Sequence, residues 1–93
     1  MSVAQWDGAE AYIDRLASLR VALGYDSQVT FAEALGISFK RWNSYERGYP
    51  IPRETAWLLQ ERFGISADWL WWGKEGNMPA QLLKQIHERK RKP

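Results

Sequence analysis

From Ala9 onward the apolar residues Ile13, Leu16, Leu19 and Leu23 recur every three or four positions, the period of one face of an α-helix. Gly24 ends that run in the manner of a left-handed C′ residue. Asp26 or Ser27 can cap a second helix, which carries Phe31, Ala32 and Leu35 inward and stops at Gly36. Beyond the short connection Gly36-Ile37-Ser38, Ser38 is placed to cap a third helix from Phe39 to about Arg47, ended by Gly48. Pro50 and Pro52 forbid its continuation. Pro52 opens a fourth helix at its first turn, with Glu54 near the positive end and Ala56, Leu58, Leu59 and Phe63 on the apolar side. Gly64 ends it, and Ser66 and Asp68 begin a short fifth helix over 67–72, stopped by Gly73. Residues 73–79 read as a loop. Over 80–90, Leu82, Leu83 and Ile86 stand at helical spacing, which leaves that segment open to a last helix or a basic tail. Residues 1–8 are polar and aperiodic and read as a flexible end. No segment alternates as a strand does, so the expected fold class is all-α.

With 93 residues the chain suits one compact domain, and six Trp, four Tyr and three Phe supply bulk to a core that must be small. The absence of Cys excludes disulfides and thiolate metal sites and points to a reducing cytosol. The opening MSVAQWDGAEAY lacks the charged and apolar regions of a secretory signal. No apolar run approaches the ~18 residues that a membrane span needs. The expectation is a cytoplasmic protein with no membrane partner.

The net charge is only +2, but it is unevenly spread. Residues 1–37 set Arg15 and Arg20 against five carboxylates, a net charge of −3. Residues 38–53 set Lys40, Arg41, Arg47 and Arg53 against Glu46 alone, a net charge of +3, and residues 81–93 carry +4. Such segregation suits a partner rich in phosphates, although a basic C-terminal tail by itself is as readily a solvated end.

The segment from Gln28 to Gly48 concentrates the functional signal. Two short helices meet through a glycine turn, Ala32 is small where they would press together, and Ile37 supplies an apolar plug. Trp42 and Tyr45, three apart, would face inward, leaving Phe39, Lys40, Asn43 and Ser44 outside. This pattern (Gln, two variable residues, an apolar residue, Ala-Glu, then Leu-Gly-Ile-Ser and Tyr-Glu-Arg-Gly) resembles the phage repressor and Cro family of helix-turn-helix regulators. Arg20-Val-Ala-Leu-Gly24 is similar to the end of that family's first helix. Ile65-Ser-Ala-Asp-Trp-Leu-Trp-Trp-Gly73 is similar to its fifth, so the resemblance spans about residues 11–73. It implies a compact five-helix, lambda-repressor-like DNA-binding domain over 9–73. Residues 74–93 would add a loop and a further C-terminal helix or basic tail. Two departures stand out: the connection from Gly24 to Gln28 is one residue longer than usual, and Phe39 occupies a contact position that is more often polar.

The resemblance also implies roles. Gln28 would bind a DNA phosphate from the start of the second helix. Ser38, Phe39 and Lys40 would meet base edges, Lys40 donating to guanine O6 or N7 and Phe39 either packing on a thymine methyl or packing within the chain. Asn43 and Ser44 would follow one turn later, and Arg41, Arg47 and Arg53 would grip the DNA backbone. Arg20 and Glu46 would form a structural ion pair between the first and third helices. The expected function is sequence-specific binding of double-stranded DNA as a repressor-like transcription regulator, with no cofactor.

Trp42 and Trp69 are expected in the core. Trp57, Trp71 and Trp72 either form a homodimer interface or are covered by the segment after Pro79. The alternative function is an antitoxin-like protein-interaction module that uses those tryptophans to hold a protein partner. His87, the single histidine, stands in a polar segment with neither a metal-ligand set nor a triad around it and is expected to be solvated. No catalytic constellation is visible, so the chain is expected not to be an enzyme.

Overall fold

The computed structural model describes residues 8–91, with side chains described as far as Arg89. Apart from Gly8, the flexible end expected over 1–8 lies outside the described residues, as do the side chains of Lys90, Arg91 and Lys92. Six helices follow in order: α1 (Ala9–Ala22), α2 (Gln28–Leu35), α3 (Phe39–Tyr45), α4 (Arg53–Phe63), α5 (Ala67–Trp72) and α6 (Ala80–Arg91). No strand occurs among the described residues.

The helix starts follow from serine chemistry. Ser27 Oγ accepts from the Val29 and Thr30 backbone N–H groups at 3.0 and 3.3 Å, Ser38 Oγ from Arg41 N–H at 3.1 Å, and Ser66 Oγ from Trp69 N–H at 3.1 Å. Each satisfies a donor that the first turn would otherwise leave bare. Of the two caps open to α2, Ser27 is the one used, while Pro52 sits one residue before α4 instead of inside its first turn. The third helix is shorter than expected. Arg47 N–H bonds to Ser44 O and Gly48 N–H to Tyr45 O, three-residue spacings that tighten the chain into a turn once Tyr45 is passed.

The core gathers Tyr12, Leu16 and Leu19 of α1, Phe31, Ala32 and Leu35 of α2, Trp42 and Tyr45 of α3, Leu59, Trp69 and Leu70, all buried. Phe31 is its aromatic centre: its ring lies 4.7 Å from that of Trp42, edge to face, and 5.6 Å from that of Phe63, stacked. The segment after Pro79 is a helix, and α6 folds back against α1, burying Leu82 and Ile86. Met78 is buried beside it and takes the Ser66 backbone N–H on its sulfur. This return also brings His87 to the 73–79 loop, where its Nε2 lies 2.7 Å from Glu75 Oε2. His87 is thus at the surface, as its polar neighbours imply, but it has a carboxylate partner that the sequence did not suggest.

Candidate nucleic-acid interface

The connection between α2 and α3 begins with Gly36 at φ +84°, a left-handed conformation that glycine adopts without a side-chain clash. That turn lets the N–H groups of Gly36 and Ile37 both bond Ala32 O, at 2.9 and 3.0 Å, closing α2 and aiming the chain into Ser38. Ala32 is buried and Ile37 half-buried beneath the turn. On α3 the period of 3.6 then separates two faces. Trp42 and Tyr45 are buried; Phe39 is 47 % exposed, Lys40 and Arg41 are exposed, and Asn43 and Ser44 are half-buried.

Glu46, the single carboxylate of residues 38–53, does not share the outer face. Its side chain is 7 % exposed and receives Arg20 Nε at 2.7 Å, Gln28 Nε2 at 2.9 Å and the Trp42 indole N–H. Arg20 is held in turn by the carbonyls of Tyr25 and Asp26 at 2.9 and 2.7 Å. One carboxylate therefore links α1, α2 and α3, and its negative charge is spent inside the fold. What remains outside is cationic or hydrogen-bonding, apart from Phe39. Lys40, Asn43, Ser44, Arg47 and Tyr49 line an open groove of about 590 Å³ that no carboxylate lines among the described residues.

The expected contact residues divide into three groups. Lys40, Asn43, Ser44 and Arg47 come together in the groove, with Ser38 and Phe39 at the start of the same helix. Gln28 stands at the first position of α2, with its amide engaged by Glu46. Arg41 reaches across to α4, its Nε 3.3 Å from Tyr45 Oη and its guanidinium 3.4 Å from Thr55 Oγ1, whereas Arg53 is exposed at the first position of α4. The tryptophans separate as well. Trp71 stacks on Tyr12 at 5.3 Å, while Trp57 is 58 % exposed on α4 and Trp72 is exposed at the end of α5. The returning α6 leaves Trp57 uncovered.

Sequence reasoning passed over Tyr12, Arg15 and Tyr49. Arg15 is buried and donates from Nε to Leu70 O at 3.1 Å; its place three residues from Tyr12 and four from Leu19 put it on the apolar face and was the available signal. Tyr12 Oη donates to Tyr49 O at 2.8 Å. Burial pushes the Tyr12 hydroxyl up to about 12, a backbone hydrogen bond from Ile51 opposing the shift in part, so the group stays a neutral donor. Tyr49 lies between Gly48 and Pro50, past the end of a helix, where a side chain has little core to enter.

Among the described residues no three His, Cys, Asp or Glu side chains converge on a metal site, and no helix is long and apolar enough to cross a membrane. Compared with known proteins, the chain matches no family model, no curated protein and no solved structure.

Proposed function

We propose that this chain is a sequence-specific double-stranded DNA-binding protein, a repressor-like transcription regulator similar to the phage repressor and Cro helix-turn-helix proteins. In this reading α1–α5 form the five-helix DNA-binding unit and α6 is an addition to it. The helix α3 enters the major groove, with Ser38, Phe39 and Lys40 towards the bases and Arg47 towards the phosphates. The observation that carries the reading is the sorting of charge along α3 and the turn that follows it. Glu46 is turned inward and neutralised by Arg20, while Lys40 and Arg47 stay outside around a groove that no carboxylate among the described residues lines. A polyanion is the partner such a face favours, and side chains that combine charge with amide and hydroxyl groups suit base edges.

Selection from random duplex DNA tests this. The intact protein should enrich a defined motif, and Lys40→Ala should relax it at one position with a loss of about 1–3 kcal/mol. Homodimers should enrich an inverted repeat whose half-sites lie about one helical turn apart. No enrichment at moderate salt would overturn the reading. It would favour the second one, a protein-interaction module, for which the 58 % exposure of Trp57 is the specific observation.

A further inference from the structure

Tyr49 combines a fixed backbone with a free side chain. Its N–H donates to Ser44 O at 3.1 Å, its carbonyl accepts the Tyr12 hydroxyl at 2.8 Å, and Pro50 follows it. Gly48 enters the turn at φ +113°, a value that a side chain would strain, and a Cβ there would also rest 3.6 Å from Ile13 Cδ1. The turn is therefore closely specified, and what it presents is a ring 68 % exposed to water, the most exposed large apolar side chain among the described residues. At that exposure the ring itself adds little to the core. Tyrosine on a fixed backbone offers a broad contact surface with only two rotatable bonds to freeze, which lowers the entropic cost of contact. Tyr49 lines the groove that also holds Lys40, Asn43, Ser44 and Arg47.

A ligand that fits these groups must offer an anionic oxygen to two cations and a phenol, and an apolar, non-ionic surface to the ring. The sugar–phosphate strand of DNA has both within one repeat. We propose that Tyr49 is a DNA-backbone contact, its hydroxyl on a phosphate and its ring on the adjoining deoxyribose, and that Tyr12 is the positioning residue that sets its reach. The inference rests on the DNA-binding reading above and adds to it a contact that carries no charge and reads no base. Because the contact is neutral, its loss weakens binding without changing the number of counterions released. Because it reads no base, the loss is the same on every sequence.

Affinity measured over a range of salt concentrations, on the selected duplex and on a mixed-sequence duplex, tests both residues. Tyr49→Ala should weaken both complexes by the same factor, about five- to tenfold, with the salt slope unchanged. Tyr49→Phe should lose about two- to fivefold, the hydroxyl's share. Arg47→Ala, a charged contact, should lower the salt slope by about 1. Tyr12→Phe should weaken binding in the native background and cost nothing further in the Tyr49→Ala background, with denaturation of each variant confirming that it is folded. Wild-type affinity for Tyr49→Ala beside weakened Arg47→Ala and Lys40→Ala would overturn the inference and leave the DNA-binding reading standing. Unchanged binding for all three would overturn both. An equal loss from Tyr12→Phe in the two backgrounds would remove Tyr12 from the account, because a general structural effect does not depend on the Tyr49 side chain.

Discussion

Replacing Glu46 by Gln keeps the shape of the side chain and removes the charge on which three helices converge. In the native protein this carboxylate accepts Arg20 Nε at 2.7 Å, Gln28 Nε2 at 2.9 Å and the Trp42 indole N–H, with Glu46 and Arg20 side chains only 7 % and 11 % exposed. An amide has one acceptor oxygen for those donors and turns its own NH2 group towards the rest, so at least one buried donor loses its partner. Removing one member of a buried pair generally costs 3–5 kcal/mol, because the other charge stays buried. Arg20 retains the carbonyls of Tyr25 and Asp26, at 2.9 and 2.7 Å, which places the loss at the lower end, about 3 kcal/mol. For a domain of this size that is a fall in Tm of roughly 12–24 °C. Thermal and urea denaturation followed by far-ultraviolet circular dichroism would measure it, with Arg20→Leu and the double variant completing a cycle. A loss below about 1 kcal/mol, or losses that simply add, would refute the view of Glu46 as the junction of α1, α2 and α3. If stability and DNA affinity both stayed at wild-type values, the inward assignment of its charge would fall too.

Two further outcomes follow from the same structure. Ile86→Ala empties part of the contact between α6 and the core, since Ile86 is buried, and should destabilise the fold by about 2–4 kcal/mol in urea denaturation; an exposed position would lose well under 1. The Tyr12 hydroxyl is raised from 10.0 to about 12, so its contribution is complete below pH 10 and is lost as pH climbs towards 12. The stability advantage of wild type over Tyr12→Phe should therefore shrink by up to about 3 kcal/mol across that interval. A difference independent of pH would show that the buried hydroxyl does not titrate with folding.

The serine-capped helix starts were legible because they depend on neighbours in sequence. Ser27, Ser38 and Ser66 cap the residues two or three positions ahead, and the apolar period of 82–86 was enough to suggest α6. What the helices meet was not legible in the same way. Whether 80–90 would cover the tryptophans depended on where α6 lands, and it lands on α1 and leaves Trp57 exposed. Arg41 reads as one more surface cation until the fold brings Thr55 within reach of it. Gln28 reads as a free amide until Glu46 arrives from eighteen residues away. Tyr49 is the instructive omission. Its flanking Gly48 and Pro50 were counted as helix breakers, whereas the geometry makes them the mounting of the residue between them.

The pairing of α6 with α1 also orders events in time. The chain between Ala22 and Ala80 is 57 residues long, so a ribosome moving at about 5–20 residues per second needs roughly 3–11 s to deliver the cover for a helix it has already made. During that interval α2, α3 and α4 can close their near-neighbour contacts, while the flank of α1 reserved for Leu82 and Ile86 stays bare. A nascent chain halted before residue 80 would leave that apolar flank open to chaperones and proteases. The arrival of α6 thus closes the flank of α1 that faces Leu82 and Ile86.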